Sequence, residues 1–103
     1  MIPISASWLL SAAGINANFA LASDSPQAVS FEGLPSAEAT LVMVTPVGGS
    51  IDLTLTSADG TAQVIPCDRI AIISSSTVPY TALSLTRQPG VATDVQVYLA
   101  NGV

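Results

Sequence analysis

Histidine and lysine are absent from this sequence, and Cys67 is its only thiol. Without histidine there is no Ser-His-Asp or Cys-His relay, and one thiol with no imidazole cannot supply the four nitrogen and sulfur ligands of a zinc site. Without lysine there is no Schiff-base nucleophile and no P-loop cation. A lone cysteine forms no internal disulfide, so stability rests on packing or on partners. Arg69 and Arg87 are the only cations, set against seven acidic residues for a formal net charge of −5 and a pI of about 4.1. A nucleic-acid groove neutralises several phosphates with several cations, so nucleic acid is excluded as a partner. No apolar run reaches the roughly 18 residues of a membrane-spanning helix, and no membrane partner is expected.

Aromatic residues make up 5% and charged residues 9% of the 103 positions, while half are hydrophobic. One compact domain fits this length, with a core of Val, Ile, Leu and Ala. Cys67 follows Ile65 and Pro66 in an apolar stretch with only Arg69 nearby to favour a thiolate, and reads as a small buried hydrophobe.

From residue 28 onward, Pro35, Pro46, Pro66, Pro79 and Pro89, with Gly33, Gly48, Gly49, Gly60 and Gly90, divide the chain into short pieces rich in Val, Ile, Leu and Thr. This is the punctuation of strands. Ile51 to Thr56 alternates apolar and polar residues, as a half-buried strand does, and Ser57-Ala58-Asp59-Gly60 supplies a turn. With Gly60 in the left-handed position of a three-residue loop, Ser57 faces Thr61, Leu53 lies opposite Ile65, and Ile51 lies opposite Cys67. A second hairpin is expected from Thr81–Thr86 and Asp94–Leu99 about a type II turn at Pro89-Gly90, with Leu83, Leu85, Val95, Val97 and Leu99 inward. Leu41–Val44 and Ile70–Ile73 are apolar on both faces, which suits central strands or an edge taken into a subunit contact. Val29 and Phe31 make a further short strand. About seven strands and no amphipathic helix predict an all-β fold: a small antiparallel β-sandwich or jelly-roll-like barrel with an apolar N-terminal arm.

Residues 1–27 carry few turn signals after Pro3. Trp8-Leu9-Leu10 and the small residues around Ala20-Leu21-Ala22 have the outline of a signal peptide, but no cation precedes them and Asn16 and Asn18 interrupt the stretch. The segment is therefore read as part of the mature chain. A short helix over Trp8 to Ala13 and a strand over Ile2 to Leu10 suit it equally, either as strands added to the domain or as an arm on a neighbouring subunit. The expected division is 1–27, arm or added strands, and 28–103, the β-sandwich domain.

The remaining chemistry belongs to carboxylates. The first hairpin places Asp52 and Asp68 on one face, diagonal to one another at roughly 7–8 Å. That separation falls in the range of inverting glycosidases. Sugar hydrolysis also needs one carboxyl kept protonated by burial, and both lie on the polar face, which reads as a solvated surface. Ser57–Gly60 lacks the dense oxygen spacing of a calcium loop. Arg69 and Arg87 are expected to pair with a carboxylate or with carbonyls, within the chain or across an interface.

The succession Gln63-Val64-Ile65-Pro66, Ile70-Ala71-Ile72-Ile73-Ser74 and Thr81 through Thr93 resembles small all-β virion proteins of tailed bacteriophages, of the head decoration or cement type. The likeness is one of texture: low charge, Ser, Thr, Val and Ala richness, short strands and a compact Pro-Gly turn. The resemblance implies a structural protein of the capsid surface that adheres in many copies to a major capsid protein or another virion protein, without catalysis or cofactor. It further implies a homo-oligomer, with a trimer favoured. Trp8, Leu9, Leu10 and Phe19, with Arg69 and Arg87, are the candidate interface residues. Two alternatives stand beside it. A carbohydrate-binding or adhesin-like β-module would bring some of Trp8, Phe19, Phe31, Tyr80 and Tyr98 side by side, and a small hydrolase would use Asp52 and Asp68.

Overall fold

The computed structural model describes residues 13–75 and 77–101 as two four-stranded antiparallel sheets packed together. The strands are β1 (Ala13–Leu21), β2 (Gln27–Val29), β3 (Leu41–Val47), β4 (Ile51–Ser57), β5 (Ala62–Cys67), β6 (Ala71–Ser74), β7 (Tyr80–Arg87) and β8 (Thr93–Asn101). The first sheet runs β1-β8-β3-β6 and the second β2-β7-β4-β5. The pairs β4·β5, β3·β6, β2·β7 and β1·β8 are nested, so the chain is one long hairpin, four strands to each arm. Folding that hairpin over adds the contacts β3·β8 and β4·β7 and closes the two sheets. This is the strand order of a jelly roll, within the expected class of small all-β sandwiches.

The innermost hairpin has the register that its alternation dictates. Leu53 pairs with Ile65 and Ile51 with Cys67. The Ser57 N–H donates to the Thr61 carbonyl at 2.8 Å, and Gly60 sits at φ +90°. The Asp59 carboxylate accepts from the Thr61 N–H at 3.0 Å, fixing the loop from its own side chain.

The expected second hairpin is not one. Leu83, Leu85, Val95, Val97 and Leu99 are buried as anticipated, and the turn is type II, with the Val91 N–H donating to the Gln88 carbonyl at 3.0 Å and Gly90 at φ +79°. Yet β7 pairs with β2 and β4, while β8 pairs with β1 and β3 in the opposite sheet. The turn type supplies the reason. Type I′ and II′ turns match the twist of a two-stranded ribbon, whereas type II splays the strands it joins, and here it turns the chain from one sheet to the other. Of the two strands read as apolar on both faces, β3 is central, and β6 is an edge with Ile72 63% exposed and Ile70, just before it, 53% exposed. Phe31 is buried beyond the end of β2, in a turn where the Leu34 N–H donates to its carbonyl at 3.2 Å. An eighth strand, β1, comes from the region assigned to an arm or added strands, and Leu21 at its end is buried.

Each strand sends alternate residues inward, and the core they form is aliphatic: Val42, Val44, Leu53, Leu85, Val95 and Leu99 are at most 1% exposed. Gly49 permits the closest approach in the corner between β3 and β4, since a β-carbon there would stand 2.5 Å from Thr93 Oγ1 and 2.8 Å from Val91 Cγ1. Thr93, buried beneath it, donates its hydroxyl to the Val91 carbonyl at 3.1 Å.

Leu53→Ala is expected to lower the unfolding free energy by about 2–5 kcal/mol in urea titrations, because it empties a core position, whereas exposed Asp52→Ala stays within about 0.5 kcal/mol. Equal losses would contradict the register. A β-carbon at Gly90 meets nothing within 4 Å, but Gly90→Val forces a β-branched residue to positive φ and is expected to lose more than about 1 kcal/mol.

Candidate functional site

Of the six candidate interface residues, Trp8, Leu9 and Leu10 lie outside the described residues. Phe19 stands on β1 opposite Val95, half-buried against the core. Arg87, at the end of β7, is held within the chain: its Nε donates to Asp24 Oδ1 at 2.9 Å and its Nη1 to the Leu21 carbonyl at 3.3 Å, leaving the side chain 12% exposed. The Gly90 N–H donates to the same Asp24 oxygen at 3.1 Å. Asp24 thus ties the β1–β2 connection to the turn between β7 and β8. That backbone bond first, and the Arg87 guanidinium second, hold the Asp24 carboxyl below its ordinary value. Arg69 is 85% exposed beside Asp68 at 3.5 Å, a pair open to solvent and screened by salt. The structure therefore turns Phe19 inward, engages Arg87 internally, and leaves Arg69 on the surface.

Asp52 and Asp68 do share a cleft, of about 450 Å³, bounded by the ends of β4, β5 and β7. Asp52 pairs with Pro66, and Asp68 follows just beyond the end of β5. Both carboxylates are exposed, so the burial that keeps a catalytic acid protonated is missing at each. Cys67 at the cleft floor is buried, and its thiol donates to the Arg69 carbonyl at 2.8 Å. Burial is the main cause that pushes this thiol up; a backbone hydrogen bond at Arg69 offsets part of the effect and the Asp68 charge adds to it. A thiol so placed is a packing group. Among the described residues no group of three or more His, Cys, Asp or Glu side chains is arranged to hold a metal ion, and no helix is long and apolar enough to cross a membrane.

The outer face of the first sheet carries a groove that sequence reasoning did not find. Its register sets three rows across β1, β8 and β3: Asn16, Tyr98 and Met43; Asn18, Gln96 and Thr45; Ala20, Asp94 and Val47. Two adjoining hollows of about 520 and 430 Å³ share Asn18 and Gln96 and form one groove along β8. The signal was present in Asn16 and Asn18, which looked like interruptions of an apolar segment and are in fact the outward positions of a strand.

The outer face of the second sheet has a different character. Val64, Thr54, Ser84 and Ala28 form its middle row, between a row of Ala62, Thr56 and Ala82 and one of Pro66, Asp52 and Thr86. Apart from Arg87, the strands of the molecule carry two charges, Asp52 on this face and Asp94 on the other.

Asp24 and Asp59 are both held below the ordinary carboxylate value of 3.8, Asp59 by the Thr61 N–H. The stability each contributes is fully present above that value and is lost as pH falls through the lower folded value. Thermal melts are expected to show falling stability below about pH 4. Asp24→Asn is expected to melt below the native chain at neutral pH, with the gap closing in acid; a gap unchanged by pH would show that the Asp24 charge is not the cause.

The chain matches no protein-family model, and no curated protein or solved structure matches it.

Proposed function

We propose that the chain is a structural virion protein that decorates or cements a bacteriophage capsid through protein–protein contacts, bound in many copies to a major capsid protein or another virion protein. The observation that carries this reading is the outer face of the second sheet. It offers one charge and a grid of Ala, Thr, Ser, Val and Pro on a molecule measuring 39 × 35 × 20 Å. Docking ordinarily costs about 0.5–1.5 kcal/mol for every long side chain it immobilises, and this face has almost none to immobilise. A broad face of these dimensions also accommodates the roughly 800 Å² per partner of a specific interface. Val64, 64% exposed on β5, adds apolar area at its margin. Jelly rolls occur among viral capsid domains, an analogy of fold that supports the reading without assigning a residue. A homo-oligomer, most naturally a trimer, multiplies such contacts on a lattice.

Mass spectrometry of purified particles is expected to find the protein in fixed stoichiometry with the major capsid protein. Val64→Glu puts a charge in the middle row of the face while leaving stability within about 0.5 kcal/mol, and is expected to weaken particle binding by about tenfold or more. Particles that carry none of the protein, or full affinity in Val64→Glu, would overturn the proposal.

A further inference from the structure

We infer that the groove along β8 on the first sheet is a binding site for a neutral oligosaccharide, a function separate from the adhesion assigned to the opposite face. The first observation is local. Asparagine and glycine are depleted in strands, yet β1 turns Gly14, Asn16 and Asn18 outward in succession on one face. A strand that departs from its own propensity at consecutive outward positions marks a place where function overrides folding. The carboxamides of Asn16, Asn18 and Gln96 are all exposed on this face. Gly14 has a separate task. A β-carbon there would strike the ring of Tyr98, with Cζ at 2.8 Å, so its absence lets the ring lean over β1 at one end of the groove.

The second observation is chemical. No cation lines the groove, and Asp94 stands at the end away from Tyr98, so a phosphorylated, sulfated or acidic ligand finds no counter-charge and one repulsion. A hydrocarbon is unsuited too, because the central row is two carboxamides and the Thr45 hydroxyl. Each carboxamide offers a donor and an acceptor, as does each sugar hydroxyl, and the two pair in both directions. Tyr98 and Met43 add an apolar platform for the C–H face of a sugar ring. The three rows span about 13 Å at roughly 3.3 Å per residue, a length for an oligosaccharide and not a single ring. An extended peptide lying along the groove floor could not add to β8, which is already paired on both sides.

The test is binding of the full chain to an array of neutral hexose, N-acetylhexosamine and deoxyhexose oligosaccharides printed beside sulfated and sialylated counterparts, followed by calorimetry at millimolar sugar. Binding to one neutral class is expected, with the side-chain amide signals of Asn16, Asn18 and Gln96 shifting in NMR spectra. Asn18→Ala and Gln96→Ala, both exposed and neutral to folding, are expected to weaken it by about tenfold each, while Val64→Glu leaves it intact. Silence across the neutral array, preference for the acidic counterparts, or affinity unchanged in both alanine variants would overturn the inference. Loss of particle binding in those variants without any glycan binding would make the groove a protein contact and overturn it as well.

Discussion

The contact between two sheets of short aliphatic side chains is the interaction on which the rest of the molecule depends. With few aromatics available, Val, Leu and Ile from alternate positions of the strands meet across a single narrow core. Burial of each such side chain is worth about 1.5–3 kcal/mol, and the period of two along a strand admits no slip without turning the set outward. The inward positions are therefore fixed by packing, and nearly everything specific to this protein is written on the outward ones. Asp24 reinforces the arrangement at the sheet-to-sheet turn, where one carboxylate collects the Arg87 guanidinium and the Gly90 amide.

The parts of this fold that were legible in the sequence are those whose signals are local. The β4–β5 hairpin could be read to the residue because alternation and an Asp-Gly turn lie together in one short span. The type II turn at Pro89-Gly90 was equally legible, but its consequence was not, because alternation says which side of a strand is buried and nothing about which strand lies beside it. Strand β1 was obscured by alanine, glycine and asparagine, residues that carry little strand signal, and its partner β8 lies at the far end of the chain. Of the candidate site residues, Arg87 was expected to pair with a carboxylate or with carbonyls, and it reaches one of each, Asp24 and the Leu21 carbonyl, within its own chain, a choice between own chain and interface that no local signal fixes.

Apart from Arg87, the strands of the two outer faces carry one charge each, and the faces differ from one another. The second sheet is flat in chemistry, built of side chains with few rotamers to lose. The first is differentiated along its length, from Tyr98 and Met43 through a band of amides to Asp94. Adhesion needs area and low ordering cost, whereas recognition of a small partner needs a few convergent polar groups. The two sheets of one slab divide these requirements between them.

The nested pairing has a consequence for how the chain acquires its structure. The β4·β5 pair closes over a three-residue loop, whereas Ala13 must find Asn101 across nearly the whole described sequence. Closure entropy rises outward through the nest, so the natural order of assembly zips from the centre, with β1 and β8 last. Topologies of this kind fold in milliseconds to seconds. During synthesis the first strand of the sandwich emerges with its partner still unmade, so β1 waits, unpaired, until β8 has been made.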